Sequence, residues 1–231
     1  MQAVILAAGL GSRLGEYKLN KPKGFLVLDG MQESLIERSI RILFECGISE
    51  IIIVTGFLSQ HYDELCKKYP KLKSVKNFNY KTTGSAQSLG VAISELKEDF
   101  LLLESDLLYE KKAIEILLEN KSKNIILASG MTQSGDEVFL ELDESKRLKN
   151  LSKNRLDLQH IDAELVGITK ISLQKALSLD FYSCKDYEYL LRGLEVLKID
   201  QLVWCEIDCW EHLCRAKEVI LPRILQGENR C

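Results

Sequence analysis

Ala3 to Leu6 form an unbroken apolar run that passes into Ala7, Ala8 and Gly9, a pattern that predicts a buried strand feeding a glycine loop. Ser34-Leu-Ile-Glu37 has capping-box spacing, Ile36, Ile40 and Leu43 share a helical face, and Gly47 is placed to end the element. A helix is therefore expected over 34–46. Glu50 to Thr55 is strongly β-branched and predicts a strand. The pattern continues with a helix over 59–69 stopped by Pro70, a short strand at 74–76, a helix over 85–96, a strand at 100–103, a helix over 111–118 and a strand at 124–128.

Alternation of this kind predicts an α/β fold: a Rossmann-like, mainly parallel mixed sheet with helices on both faces. After Gly130 the rhythm loosens. Strands are expected at 138–142, 164–170 and 202–206, helices near 172–179 and 186–198, and the polar stretch 146–159 reads as a mobile loop. No Pro/Ser-rich linker, repeat or low-complexity segment divides residues 1–231, so one domain is expected.

Composition narrows the function classes. With 231 residues, 46% hydrophobic and 28% charged, the chain has the make-up of an ordinary globular protein with a sizeable core. A net charge of −3 supplies no chain-wide basic field, which argues against nucleic acid as the main partner. The apolar start lacks a basic flank and is too short for a membrane span. Seven cysteines form an odd set without CxxC spacing, which suggests reduced thiols and a cytoplasmic protein. Cys205, Cys209 and Cys214 lie near His212, but their spacing matches no common structural zinc pattern. His61 and His160 stand alone in polar surroundings and read as surface residues.

The chemistry concentrates after the first strand. Gly9 and Gly11 lack β-carbons, so backbone N–H groups there can close around a phosphate chain. A Walker A loop is absent, and the third glycine of a dinucleotide fingerprint is displaced to Gly15. Asn20-Lys-Pro22-Lys23 also interrupts the chain too soon for a Rossmann crossover helix, which argues against a dehydrogenase. Arg13, Lys18, Lys21 and Lys23 follow within a dozen residues, the cations a triphosphate needs. A solvated charged loop alone does not account for glycines, Arg13 and Lys-Pro-Lys arriving together behind a buried strand.

Taken whole, LAAGLGSRLGEYKLNKPKGFLVLDG resembles the signature of the nucleotidyltransferases that activate sugar phosphates, phosphocholine and phosphonates. The resemblance extends through SLIERSI, Val54-Thr55-Gly56, Thr83-Gly-Ser-Ala-Gln-Ser-Leu89, Asp106 and Glu206-Ile-Asp208, and so covers nearly the whole chain. It implies that 1–130 mainly holds the nucleotide and 131–231 mainly the acceptor. Leu6, Ala7, Ala8, Gly9 and Gly11 would cradle the nucleotide, Arg13 and Lys23 would act on its phosphates, and Gly84, Ser85, Gln87 and Ser88 would face the base. Asp106 and Asp208 match two metal-binding aspartates, with Mg²⁺ as cofactor. Each also falls where an aspartate can cap a following helix.

Within the family, Lys-Pro-Lys-Gly, Thr-Gly-Ser-x-Gln-Ser-Leu and Glu164-Leu-Val-Gly167-Ile look most like the 2-aminoethylphosphonate cytidylyltransferases, with phosphocholine enzymes as runner-up. CTP and 2-aminoethylphosphonate are the expected substrates. Glu164 and Asp162 are the first candidates to hold the acceptor amine, with Lys153, Tyr17 and Glu188 beside them. A nucleotide-sensing subunit without turnover is the reading from another class, and retention of Lys23, Asp106 and Asp208 argues against it. The resemblance also allows assembly as a homo-oligomer and fusion to an aminotransferase domain.

Overall fold

The computed structural model describes residues 1–11, 13 and 20–228. β1 (Gln2–Ala7) is buried along its whole length. Its alternating side chains feed two apolar clusters: Ala3, Ile5 and Ala7 enter one, Val4 and Leu6 the other. A strand buried on both faces needs no polar side, which explains the unbroken apolar run in the sequence.

Next come α1 (Leu35–Glu45), β2 (Ile51–Thr55), α2 (Gln60–Cys66), β3 (Leu72–Lys76), α3 (Ser85–Ala92) and β4 (Phe100–Glu104). A three-residue strand β5 (Leu107–Tyr109) follows β4 closely. Then come α4 (Lys112–Glu119), β6 (Ile125–Ser129), β7 (Phe139–Leu142), β8 (Leu148–Ser152), β9 (Ala163–Ile171), α5 (Leu173–Leu177), β10 (Glu195–Ile199) and β11 (Trp204–Glu206). α6 (Trp210–Arg215) runs through a π-helical turn at Ala216–Ile220 into α7 (Leu221–Glu228). The capping box at the start of α1 forms as the sequence predicts, with Glu37 N donating to Ser34 Oγ and Ser34 N donating to Glu37 Oε2.

The main sheet runs β10-β6-β9-β4-β1-β2-β3 among the described residues. β1 is parallel to both β2 and β4, whereas β9 is antiparallel to β4 and β6. Helices cover both faces: Ile36, Ile40 and Leu43 of α1 and Leu117 of α4 pack on one side, Ala86, Leu89 and Ala92 of α3 on the other. The chain leaves β1 for β2 on one side and returns to β4 on the other, so the switch point of the sheet lies at the carboxyl end of β1. Open α/β sheets bind ligands at such a point. Strand β9, from the second half of the chain, lies between β4 and β6 of the first, so the two halves interleave in one sheet.

Beyond this sheet, β11 pairs antiparallel with β5. A third apolar cluster, including Leu28, Leu108, Ile207, Leu213 and Ile220, ties this ribbon to the C-terminal helices. That packing fixes the residues just after β11.

Two sequence expectations need correction. The stretch 146–159 is not a bare loop, because β8 pairs with β7 inside it and Asn154 caps a short 3-10 turn at Arg155–Asp157. The helix expected over 186–198 is a 3-10 turn at Tyr187–Leu191 followed by β10, which extends the sheet beside β6. Gly193, at φ +82°, separates the two.

Candidate active site

A cleft of about 610 Å³ opens at the carboxyl ends of β1 and β4. The glycine loop forms one wall, with Leu6, Ala7, Ala8, Gly9 and Gly11 all on its lining. Gly11 has φ +63°, and a β-carbon there would meet Lys23 Cγ at 3.1 Å. The left-handed backbone and close approach together require glycine.

Lys23 connects this loop to the carboxylates. Its Nζ donates to Asp106 Oδ2 at 2.7 Å and also to Asp208 Oδ1. Its side chain is only 16% exposed. Burial disfavours the ammonium, yet Asp106 and Asp208 outweigh that cost and raise the Lys23 pKa above its ordinary value. For Asp208, burial likewise opposes the charge, but Lys23, a hydrogen bond from Glu206 and the Arg13 guanidinium hold it down at about 2. Arg13 Nη2 donates to Asp208 Oδ2 at 2.7 Å, so both basic residues expected beside the phosphates converge on one carboxylate.

Two glutamates missed as site residues complete the group. Ligand oxygens of Glu104, Asp106 and Glu206 lie within 4.8 Å of one another. Burial, reinforced by neighbouring carboxylates, raises the pKa of both Glu104 and Glu206 well above the usual range. Their signal was present in the sequence as Glu104-x-Asp106 and Glu206-x-Asp208, since carboxylates two residues apart at a strand end lie on the same side. Gly167 adjoins Glu104: it lies at φ +82° where β9 passes from β4 to β7, and a β-carbon there would stand in ordinary contact with Glu104 Oε2 at 3.5 Å.

The opposite wall is the start of α3. Gly84, Ser85 and Ser88 line the cleft, but Gln87 does not. Its Oε1 accepts from Gly84 N and its Nε2 donates to the carbonyls of Phe181 and Cys184. Gln87 therefore fastens the turn to the following wall instead of facing a ligand. Gly84 is obligatory, because a β-carbon would fall 2.0 Å from the Lys185 carbonyl.

The acceptor candidates separate. Lys153 and Glu188 line the cleft. Glu188 Oε2 is buried with no hydrogen-bond partner, and burial, with Asp186 adding to it, raises the Glu188 pKa. Glu164 does not line the cleft. It is 2% exposed, accepts from Thr132 N at 2.6 Å and Thr132 Oγ1 at 2.7 Å, and faces a recess of about 30 Å³ behind the cleft. Asp162 also lies away from it, accepting from Leu142 N at 2.8 Å beside His160. Both carboxylates are committed to holding the backbone. Tyr17 and Lys18 lie outside the described residues. Lys81, Lys185 and Trp204, which sequence reasoning did not select, are part of the lining.

Among known proteins, the chain is 36% identical to a choline-phosphate cytidylyltransferase of Streptococcus pneumoniae over 48% of this chain and 47% of that protein. It is 26% identical to a 2-aminoethylphosphonate cytidylyltransferase of Lancefieldella rimae over 94% of this chain and 86% of that protein. The chain spans about half the length, or less, of three of the curated relatives it matches. In structure it is similar to the inositol-1-phosphate CTP transferase from T. maritima, with a TM-score of 0.76, 18% identity and coverage of 95% of this chain and 97% of that one. That likeness places the fold with the nucleotide-diphospho-sugar transferases. The family model for the MobA-like NTP transferase domain matches residues 3–163, which include the glycine loop, Lys23, Glu104 and Asp106, and the chain belongs to that family.

Proposed function

We propose that this chain is a Mg²⁺-dependent cytidylyltransferase that transfers CMP from CTP to 2-aminoethylphosphonate and releases pyrophosphate. The observation that carries the reading is Lys23 bridging Asp106 and Asp208 at the mouth of the glycine loop. A lysine already charged and held beside two carboxylates is poised to exchange them for phosphate oxygens. Similarity to cytidylyltransferases supports CTP as the nucleotide.

The donor set suits a hard divalent cation, since Glu104, Asp106, Glu206 and Asp208 present oxygen ligands to one cleft. Asp106 and Asp208 would hold Mg²⁺, which would supply positive charge to offset that of the phosphates. The remaining chemistry belongs to charge and position. An acceptor oxygen forms its bond to the α-phosphorus as the bond to the β-phosphate oxygen breaks, and pyrophosphate leaves with that electron pair. The nucleophile is already an anion, so no side chain has to remove a proton.

Repulsion is the barrier. Two like charges ~4 Å apart at an effective dielectric of ~20 cost about 4 kcal/mol, nearly a thousandfold in rate. Arg13 and Lys23 oppose this on the nucleotide side and Lys153 on the acceptor side, as in phosphoryl transfer generally. The turn at Gly84 and Ser85 would face the cytosine edge, with Gln87 holding that turn in place and the Ser88 hydroxyl bracing it through the Gly84 carbonyl.

The acceptor amine is assigned to Glu188, whose unpartnered Oε2 and acidic neighbours Asp186 and Glu104 suit a primary ammonium with N–H donors. Tyr62, Tyr80 and Trp204 also line the cleft and favour phosphocholine as the second reading, because a quaternary ammonium is held against aromatic faces. Pyrophosphate release with Mg-CTP and each acceptor in turn separates them. The proposal expects turnover with 2-aminoethylphosphonate, and preference for phosphocholine would overturn the acceptor assignment.

A further inference from the structure

The loop between β6 and β7 carries a carboxylate that the reaction does not require. Asp136 Oδ2 accepts from Arg13 Nη1 at 2.6 Å, and its Oδ1 accepts from Lys153 Nζ at 2.8 Å. It thus joins a cation of the glycine loop to a cation that follows β8. Its side chain is 23% exposed, while those of Arg13 and Lys153 are 56% and 52% exposed. Two oxygens of one anion spanning two cations is also the way a phosphate group would meet them.

The backbone aims Asp136 at this position. Gln133 and Gly135 take φ of +57° and +93°, which turn the loop sharply before it. The start of the loop is anchored from behind: Glu164 accepts from both the N–H and the hydroxyl of Thr132, and Arg215 Nη2 donates to the Thr132 carbonyl at 3.0 Å. The buried glutamate therefore supports the loop that presents Asp136.

We propose that Asp136 is an internal phosphate surrogate, an affinity-setting residue that substrate phosphates must displace from Arg13 and Lys153. The inference rests on the reading above that these two cations receive substrate phosphates. Both terminal nitrogens of Arg13 are already engaged, Nη1 by Asp136 and Nη2 by Asp208. The carboxylate of Asp208 can turn to a divalent cation, whereas Asp136 lies outside the Glu104, Asp106 and Glu206 cluster and has only these two basic partners among the contacts described. A ligand with several anionic oxygens can replace it. Ligands that do not reach Arg13 or Lys153 are unaffected, so Asp136 selectively weakens the binding of the phosphate ligands that must displace it.

The test is calorimetric titration of the purified chain with inorganic tripolyphosphate, and with cytidine as the uncharged control. Asp136→Asn is expected to bind tripolyphosphate about 5-fold more tightly, with cytidine affinity unchanged and the gain lost in the Arg13→Gln/Asp136→Asn double variant. Asp136→Ser serves as the second variant should Asn perturb the loop. Tripolyphosphate affinity that is unchanged or weaker in folded Asp136 variants, while Arg13→Gln alone weakens it, overturns the surrogate role. Unchanged affinity in Arg13→Gln alone overturns the phosphate reading of the site itself.

Discussion

Lys23 and Asp106 stand 83 residues apart in sequence, yet their side chains meet at 2.7 Å, where the glycine loop from β1 faces the end of β4. The sheet brings them together because β1 and β4 are parallel neighbours, so their carboxyl ends share one edge.

Replacing Lys23 by Met tests that contact. The expected result is a fall in kcat of about 100-fold or more with a smaller change in CTP affinity, since charge stabilisation matters most as the phosphates rearrange. Equal kcat and equal CTP affinity would remove Lys23 from the site.

The metal assignment predicts that Asp106→Asn and Asp208→Asn lose Mg²⁺-dependent turnover while remaining folded, and that a chelator silences the unmodified chain reversibly. Circular dichroism and a pyrophosphate assay read both. Near-normal turnover in the two variants contradicts the assignment.

Much of this was legible in the sequence, and the reason is local. β1 and α1 announce themselves through an apolar run and a capping box, signals that depend only on neighbouring residues. β10 does not: Leu190, Leu191, Leu194 and Leu197 have a spacing compatible with a helix, and only Gly193 and pairing with β6 make Glu195–Ile199 a strand. The same limit applies to Glu164. Its charge marked it for an amine, but its oxygens turn away from the cleft to Thr132, a contact across 32 residues that no spacing reveals.

A stability trade-off follows from Glu104 and Glu206. Burial and neighbouring carboxylates raise their folded pKa values, so their contribution is full below the ordinary glutamate range and is lost as pH rises through the raised values. Asp208 has the opposite sign, with stability lost only as pH falls toward about 2. Because pH 5 lies near the start of the glutamate window and above that of Asp208, Tm should be higher at pH 5 than at pH 8. Glu104→Gln should raise Tm at pH 8 and change it little at pH 5, while lowering turnover. A variant less stable than the parent at pH 8 contradicts this account.

Glu188 and Glu164, both acceptor candidates by sequence, should behave differently. Glu188→Gln is expected to erode the preference for 2-aminoethylphosphonate over phosphocholine by about 10-fold, the worth of a lost charged hydrogen bond. Glu164→Gln should leave that preference intact and lower Tm, because it loosens Thr132. Acceptor kinetics and thermal melts on both variants decide; a changed preference in Glu164→Gln alone would reverse the assignment.

Phosphorus NMR of the unmodified chain with CTP, Mg²⁺ and 2-aminoethylphosphonate reads the transfer itself. Equal formation of pyrophosphate and a CMP-phosphonate anhydride is expected, with kcat/KM at least about 10-fold above that for phosphocholine and for UTP as donor. CTP binding without any pyrophosphate formation across the acceptors would contradict it.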